Sequence, residues 1–332
     1  MILIVSSYGL EQVSLIRDHL TTTLEVAVIN PHEMFGYDTA IAFDIDVSGI
    51  PTFYLGKKNF QLEAILWNSR PRADAVLSRE CISNIATYRS RVKQFCDDLS
   101  FTFKNVPQYP GTLSEIEYGE SKILLMYQAQ KHGLETPSFT RNAVGADAVK
   151  MIHQKHGRVY RKVLGPPCVV MEDGSGITTT NLAVREWSKD IPGAYQPWQY
   201  QEIVPFVAQI RCFVVSNKVW SARWKHEPIG DEWDLRFHQE VLGEKVQFEE
   251  YKLPKIIEEK LCALIMSYHL THAAPEFLES SDGFLTFIDL NPCGEWTNVF
   301  SSEIETEIAE KLCLLLENQT NSVHRVPLCK IA

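Results

Sequence analysis

Two spacings of apolar residues follow one another at the start of the chain. Residues 2–5 are all apolar, and between residues 10 and 20 apolar residues recur every three or four positions. The first pattern predicts a buried strand and the second an amphipathic helix packed beside it. Strands and helices in succession are typical of an α/β unit, which we assign to residues 1–112. The other elements predicted in this unit are strands at 24–29, 40–47, 52–55 and 61–67, and a long helix at 75–99.

The pattern changes twice beyond the turn-rich segment 107–111. A helix over residues 120–132 is followed by Gly133, as helix C-termini commonly are. We assign residues 113–203 to a small central α+β unit and residues 204–332 to a unit of sheet and helices. The remaining predicted elements are helices at 146–156, 255–270 and 304–316, strands at 138–140, 159–163, 168–171, 177–181, 200–204, 209–215 and 219–224, and a hairpin at 276–290.

The composition is that of a globular protein that does not bind nucleic acid. Of the 332 residues, 45% are hydrophobic and 22% are charged, an ordinary globular mixture. The 32 Lys and Arg against 42 Asp and Glu leave a net charge of -10, whereas nucleic-acid binders carry basic stripes. The 8 cysteines contain no C-x-x-C pair, so they predict buried thiols in a reducing compartment. The apolar start is too short for a signal peptide or membrane span, and we expect a cytoplasmic protein.

One predicted hairpin carries the acidic residues of greatest interest. Asp282-Gly283 predicts a two-residue type I′ turn, because that turn needs positive φ at both central positions. With this turn Glu276 lies opposite Asp289, with Cβ atoms roughly 5 Å apart, and Asn291 shares the face of Asp289. Opposed carboxylates are destabilising unless a cation neutralises them, and a hard divalent cation would do so. An exposed hairpin whose acids face water fits this spacing equally well.

The same hairpin resembles a metal-binding signature. Glu276 followed by Asp289-Leu290-Asn291-Pro292 is similar to the Asp/Glu…Glu-x-Asn-Pro pattern of the ATP-grasp ligases. The continuation Gly294-Glu295-Trp296 is similar to the ending seen in the graspetide synthetases, the microviridin-type peptide macrocyclases. Here Glu stands where Asp is usual and Asp where Glu is usual, so both positions stay carboxylates. Further stretches resemble the family in the same order: 67–72, Lys122 with 129–137, Lys162, 200–205, Ile210-Arg211, and Asp234-Leu235-Arg236 with Leu235 in place of Trp.

The resemblance implies an ATP-grasp fold in which an N-terminal pre-ATP-grasp domain precedes a central and a C-terminal subdomain. It also implies ATP and Mg²⁺ as cofactors. From the residues themselves, Arg211 lies in an otherwise apolar strand and needs a paired anion, either a phosphate or a structural carboxylate. Ordinary solvated roles for Lys122 and Lys162 stay open. The resemblance assigns the metal to Glu276, Asp289 and Asn291, the nucleotide to Lys122, Lys162, Gln201, Glu202 and Val204, and catalysis and the acceptor side to Arg211, Arg223, Asp234 and Arg236.

The reaction implied by the resemblance joins a carboxylate to a nucleophile. An Asp or Glu side chain of a ribosomal precursor peptide is activated as an acyl phosphate, and it then forms an ester with Thr or Ser, or an amide with Lys. The implied partners are a precursor peptide with a leader segment and a second copy of the chain in a homodimer, with neither nucleic acid nor a membrane. Two alternatives stay open: an ATP-grasp ligase that adds a free amino acid to a peptide or metabolite, and a non-catalytic nucleotide-binding interaction protein.

Overall fold

Strands and helices alternate along the chain. The computed structural model describes residues 1–7, 10–21, 24–31, 40–69, 85–156, 159–162, 168–170, 176–178, 182–184, 198–225 and 246–323. The strands are β1 (Ile2–Val5), β2 (Val26–Ile29), β3 (Ile41–Ile45), β4 (Pro51–Leu55), β5 (Lys58–Phe60), β6 (Ala64–Trp67), β7 (Gln108–Tyr109), β8 (Thr140–Ala143), β9 (Val159–Lys162), β10 (Cys168–Val170), β11 (Gly176–Thr178), β12 (Leu182–Val184), β13 (Trp198–Glu202), β14 (Ala208–Val215), β15 (Lys218–Lys225), β16 (Glu249–Glu250), β17 (His272–Glu279) and β18 (Leu285–Asn291). The helices are α1 (Leu10–His19), α2 (Ile85–Thr102), α3 (Leu113–Gly119), α4 (Lys122–Lys131), α5 (Ala146–His156), α6 (Lys255–Ser267) and α7 (Ser302–Val323).

The N-terminal strands form a parallel sheet in the order β2-β1-β6-β7. Every residue of β1 and β6 is buried, as expected for a parallel sheet covered on both faces. One face contributes to a first core that includes α2 and α3, and the other contributes to a second core that includes α1 and α7. The α/β character predicted for this part of the chain is confirmed.

A central antiparallel sheet has the order β12-β9-β13-β8. Tyr200 of β13 and Val159 of β9 form a small core with Phe139, against which Ile152 of α5 packs. The predicted mixture of strands and helix in this part of the chain is therefore confirmed. The division of the chain into domains at residues 112 and 203 stays a prediction.

The C-terminal strands form an antiparallel sheet in the order β16-β15-β14-β17-β18. Alternate residues of β14 divide between the two cores. Ile210, Cys212 and Val214 belong to the first core, which α6 joins, whereas Phe213 and Val215 belong to the second. Because both cores also contain residues of the N-terminal sheet, the two sheets share both hydrophobic cores.

The tip of the β17–β18 hairpin differs from the prediction. The backbone N–H of Ser280 donates to the carbonyl of Phe284 at 2.9 Å, so the loop consists of residues 281–283. Only Gly283 of the two predicted turn residues has positive φ, at +83°. The predicted two-residue type I′ turn is therefore wrong, and the hairpin uses a three-residue loop with glycine in the left-handed position.

The base of the same hairpin agrees with the prediction. The longer loop moves the register by one residue, so that Phe277 lies opposite Phe287. Between these two pairs β18 contains one extra residue, Ile288, and this β-bulge moves the register back. Glu276 consequently lies opposite Asp289, as predicted, because the two departures from regular geometry cancel.

Most helices begin and end within a few residues of their predicted bounds. Gly133, after α4, has a φ of +74°, which confirms the predicted helix end. Two features differ from the prediction. α3 was not predicted, although Thr112 and Glu115 form a capping box at its start, and α7 continues to Val323. Residues 75–84 of the predicted long helix lie outside the described residues.

The described cysteines behave as small apolar residues. Cys96, Cys212, Cys262, Cys293 and Cys313 are free thiols, and all but Cys262 are buried. Burial raises the pKa of Cys96 and of Cys313 to about 12, so both stay protonated at neutral pH. No helix within the described residues has the length and apolar character needed to cross a membrane.

His272 at the start of β17 makes stability depend on pH. Burial beside Phe213 lowers its pKa to about 3 from the ordinary value of 6.5, so its imidazole is neutral in the folded protein. The unfolded chain takes up a proton below that ordinary value, and the free energy of unfolding therefore falls as the pH falls. We predict that between about pH 7.5 and about pH 5 the wild type loses roughly 2 kcal/mol more than His272→Asn. Urea denaturation of both proteins at the two pH values measures the difference, and equal losses would contradict it.

Candidate functional site

Four predicted site residues lie on one face of the C-terminal sheet. Arg211 of β14 pairs with Glu276 of β17, and Glu276 pairs with Asp289 of β18. Residues directly opposite each other on neighbouring strands share a face. Asn291, two residues beyond Asp289, lies on this face by strand alternation. The structure thus brings together four residues that the sequence interpretation assigned to the metal and to catalysis, and we call this side of the sheet the acidic face.

Glu276 is held by two side chains of β14. Its Oε1 lies 3.3 Å from Nε of Arg211, and its Oε2 accepts a hydrogen bond from Nε2 of Gln209 at 3.0 Å. The Arg211 and Glu276 side chains are 29% and 25% exposed, so a ligand can reach both. Sequence reasoning missed Gln209, although its position two residues before Arg211 in the same strand places it on the same face.

The guanidinium of Arg211 has unused hydrogen-bonding capacity. Its Nε is buried, and the approach of Glu276 does not have hydrogen-bond geometry, so within the described part of the chain this donor has no acceptor. A buried donor without an acceptor is costly. Because the Arg211 side chain as a whole is 29% exposed, the part of its guanidinium beyond this buried Nε is what an anionic ligand oxygen can reach.

Asp289 is held by a helix from a distant part of the sequence. Lys122, the first residue of α4, forms an ion pair with Oδ1 of Asp289, and the backbone N–H of Leu290 donates to the same oxygen at 2.7 Å. Leu125 and Ala129 anchor α4 in the first core. The resemblance assigned Lys122 to the nucleotide, and in this structure its ammonium group contacts a predicted metal ligand.

Asn291 ends β18 and is fixed by the turn that follows it. Its Oδ1 accepts the N–H of Cys293 at 3.1 Å, and its backbone carbonyl accepts the N–H of Gly294 at 3.3 Å. An amide oxygen has two lone pairs, so Oδ1 keeps one acceptor position for a cation. The turn is tightly packed, because a Cβ atom at Gly294 would lie 2.3 Å from the Cβ of Ala274, the residue opposite Asn291.

The donor set of the acidic face fits Mg²⁺. Glu276, Asp289 and Asn291 offer only oxygen atoms, the ligand type that Mg²⁺ prefers. Within the ranges that the structure describes, no group of three or more His, Cys, Asp or Glu residues could hold a metal ion. Two carboxylates suffice for Mg²⁺ when nucleotide phosphates and water complete its coordination. Bound Mg²⁺ would also neutralise the opposed carboxylates.

Arg223 lies on the other face of the same sheet. Arg223 pairs with Ile210, which belongs to the first core, whereas its neighbour Ala222 pairs with Arg211. Consecutive residues of a strand point to opposite faces, so Arg223 and Arg211 lie on different faces. Its guanidinium lies 2.8 Å from the carboxylate of Glu249 and 3.3 Å from that of Glu279. The structure therefore does not bring Arg223 to the acidic face, and it provides this arginine with two carboxylate partners.

The residues assigned to adenine and ribose lie where the central and C-terminal sheets connect. Gln201 and Glu202 end β13, and Val204 follows in the connection to β14. The Gln201 side chain is buried, and its Oε1 has no hydrogen-bond partner in the described part of the chain. The carboxylate of Glu202 accepts a hydrogen bond from the backbone N–H of Ser138.

Three other predicted site residues are described in part or not at all. Asp234 and Arg236 belong to the segment 226–245, which lies outside the described residues. Lys162 ends β9, where it pairs with Gln199 of β13, and its side chain lies outside the description. The roles assigned to these residues stay predictions.

Cys212 lies in β14 beside Arg211. Burial raises the pKa of its thiol well above the ordinary value, and the nearby Glu276 carboxylate raises it further. Because the thiolate is the nucleophilic form of cysteine, this residue is not activated for covalent catalysis at neutral pH.

The contact between Lys122 and Asp289 can be tested by stability measurements. We predict that a double-mutant cycle of Lys122→Met and Asp289→Asn gives a coupling free energy of about 0.5–1 kcal/mol, the size typical of a partly exposed ion pair. The coupling should decrease with salt, because salt screens exposed charges. Urea denaturation of the four proteins measures it.

The matched control is the more exposed ion pair of α6. In it the Lys255 side chain is 76% exposed and lies 3.2 Å from Glu258. The same cycle there, with Lys255→Met and Glu258→Gln, should give a smaller coupling. A coupling between Lys122 and Asp289 no larger than that of the control would contradict the placement of Lys122.

Comparison with known proteins identifies the fold. No protein-family model and no curated protein matches the chain. Among solved structures, the macrocyclase MdnC bound with precursor peptide MdnA, from Microcystis aeruginosa MRC, aligns with a TM-score of 0.72 at 18% identity, covering 96% of this chain and 99% of that chain.

Two further solved structures extend this match. A RiPP-associated ATP-grasp ligase of Chryseobacterium gregarium, in complex with ADP and a leader and core peptide, aligns with a TM-score of 0.74 at 18% identity, over 98% of this chain and 97% of that chain. The ATP-grasp ligase PsnB, complexed with minimal precursor, Mg and ADP, aligns with a TM-score of 0.65 at 14% identity, over 96% of this chain and 97% of that chain. The chain therefore has the ATP-grasp fold, and its resemblance to the graspetide peptide macrocyclases is confirmed at the level of the fold.

Proposed function

We propose that the chain is an ADP-forming ATP-grasp ligase that cross-links a ribosomal precursor peptide. The observation that carries this proposal is the acidic face, where Glu276 lies opposite Asp289 and Asn291 follows on the same side. Opposed carboxylates beside an amide oxygen form the oxygen-only set that Mg²⁺ requires. The fold supports the proposal, because solved structures that align over nearly the whole chain hold ADP and precursor peptides.

The proposed reaction has two balanced steps. A side-chain carboxylate of the peptide attacks the γ-phosphorus of ATP, the bond from that phosphorus to the bridging oxygen breaks, and ADP leaves. A hydroxyl or amine of the same peptide then attacks the acyl carbon, loses its proton and displaces inorganic phosphate. Mg²⁺ held by Glu276, Asp289 and Asn291 would neutralise phosphate charge. The contribution of the chain is mainly positioning and electrostatic stabilisation.

Arg211 is the residue that we assign to the transferred phosphoryl group. It lies on the acidic face, and its side chain is 29% exposed, so a phosphate can reach its guanidinium. A guanidinium holds phosphate oxygens through paired hydrogen bonds. For the nucleotide we retain Lys122, Lys162, Gln201, Glu202 and Val204, and for the acceptor side Arg223, Asp234 and Arg236, as predictions by resemblance.

The peptide substrate, the assembly and the location belong to the same proposal. We assign to this protein a precursor peptide with a leader segment, since the ligase of Chryseobacterium gregarium was solved with a leader and core peptide. A homodimer, a cytoplasmic location and the absence of a nucleic-acid partner are further parts of the proposal. The free thiols among the described cysteines and the net charge of -10 support the last two.

We predict that the protein, incubated with Mg-ATP and a small peptide encoded beside its gene, removes one water from the peptide for each bond formed. Intact-mass spectrometry of the peptide and ADP release measure the reaction together. Asp289→Ala and Asn291→Ala should each slow it by at least about 100-fold, because each removes a ligand that stabilises developing charge.

The matched control is Asp282→Asn on the same hairpin. Asp282 is exposed at the tip and bonds to the hydroxyl of Ser280, away from the acidic face, so this variant should keep the wild-type rate. An unchanged peptide with ADP release only in the presence of a free amino acid would replace the macrocyclase by an amino-acid ligase. Nucleotide binding without ADP release with any acceptor would indicate a non-catalytic protein.

A further inference from the structure

The position of Asn291 depends on the segment that follows it. Cys293 and Trp296 are 3% and 2% exposed, so the segment after Asn291 is anchored in the interior at both residues, although Glu295 between them is exposed. The backbone at Gly294 passes so close to Ala274 that no other residue fits without a shift. We call residues 292–298 the post-ligand segment. Any displacement of this segment would be transmitted to Asn291, because the hydrogen bonds of the turn join them.

Helix α1 of the N-terminal sheet holds this segment. Gln12 in the first turn of α1 is 1% exposed. With its amide oriented to satisfy its hydrogen bonds, its oxygen accepts from the indole N–H of Trp296 at 2.8 Å and from the backbone N–H of Trp296 at 3.0 Å. The neighbouring residue Glu11 accepts from Nδ2 of Asn298 at 2.8 Å. Two consecutive residues of α1 therefore bind two points of the post-ligand segment.

The contact spans most of the chain. Gln12 lies near the start of the sequence and Trp296 near its end. A buried carboxamide with two strong acceptor contacts fixes its partners in a way that apolar packing does not, because hydrogen bonds are directional. Mg²⁺ demands near-ideal ligand geometry, so a small displacement of Asn291 would weaken metal binding.

We propose that Gln12 is a positioning residue for the metal site, acting through Trp296 and the post-ligand segment on Asn291. The inference rests on the proposed function of the acidic face. In addition, it makes helix α1, which packs on the N-terminal sheet, necessary for the site to bind Mg²⁺ with nucleotide. Gln12 itself contacts neither metal nor substrate. Its effect is on the geometry of Asn291, not on the chemistry of the reaction.

The chain offers a chemically matched control. Gln108 is also a buried glutamine whose Oε1 accepts from an indole N–H, that of Trp67 at 3.1 Å. This second pair lies within the N-terminal sheet, between β6 and β7, and does not include the post-ligand segment. Gln12→Met and Gln108→Met therefore each remove a buried acceptor of an indole N–H, and only the first of these leads to Asn291. Gln108→Met also removes hydrogen bonds with Ser100 and Phe103, so it is a control at least as disruptive to the interior.

The experiment measures the Mg²⁺ dependence of nucleotide binding. A non-hydrolysable ATP analogue is titrated into the full-length protein by calorimetry at increasing Mg²⁺ concentrations. We expect Gln12→Met to raise the Mg²⁺ concentration needed for half-maximal binding by about 10-fold, given the sensitivity of such sites to small displacements. Gln108→Met should raise it less than about 2-fold, even where both variants lose similar thermal stability.

A reciprocal variant tests the path of the effect. Trp296→Phe removes the indole N–H and keeps a buried ring, and it should shift the Mg²⁺ dependence in the same direction as Gln12→Met. The double variant should be weaker than the wild type by less than the product of the two single effects. Trp296→Phe alone decides the question if Gln12→Met does not fold.

The outcomes separate the two proposals. Equal shifts for Gln12→Met and Gln108→Met, or a wild-type Mg²⁺ dependence in Trp296→Phe, would overturn the positioning role and leave the proposed function standing. Nucleotide binding by the wild type that is independent of Mg²⁺ would overturn both. A shift confined to Gln12→Met and Trp296→Phe, while Gln108→Met loses similar thermal stability without the shift, would establish the positioning role.

Discussion

Two carboxylates that face each other across β17 and β18 are the constraint on which the acidic face depends. Glu276 and Asp289 would repel each other in an isolated hairpin. The fold brings one cation to each: Arg211 arrives from the neighbouring strand, and Lys122 arrives on a helix from an earlier part of the chain. The hairpin is therefore not an independent unit. Its charge balance requires β14 on one side and α4 on the other, and both are placed by the first hydrophobic core.

The C-terminal sheet also packs with the N-terminal strands, through the second core. The side of β14 that carries Arg211 continues into Phe213, whose ring lies 5.9 Å from that of Trp296 in the second core. Helices α1 and α7 belong to this core, so the acidic face is polar at one end and buried at the other. Strand β14 thus connects the acidic face to the second core. Because α1 belongs to that core, residues separated by most of the sequence can fix the turn that follows Asn291.

Sequence reasoning succeeded where a local rule dominates. Gly133 marked the end of α4, and strand alternation placed Asn291 on the face of Asp289. The opposition of Glu276 and Asp289 was predicted from a turn that the structure does not contain, and it is correct because a three-residue loop and a bulge at Ile288 offset each other. The capping box of α3 was visible in the sequence and was overlooked.

By contrast, no local pattern could place Lys122 on Asp289, 167 positions away, because the packing of α4 decides that contact. Strand alternation from Arg211 would also have separated Arg223 from the acidic face, had the pairing of β14 and β15 been known.

The two opposed acids differ in length from those of the resembled signature, and the two differences offset each other. Glu276 stands where Asp is usual and Asp289 where Glu is usual, so one side chain gains a methylene group and the opposite one loses it. The total reach across the strand pair is therefore preserved, while its midpoint moves towards β18. The longer Glu276 has the length to contact both Gln209 and Arg211, whereas the shorter Asp289 stays near its own backbone at Leu290. Oxygen ligands act through position and charge, so the exchange keeps the charge and the ligand type of the pair and moves the point where the two carboxylates meet towards β18.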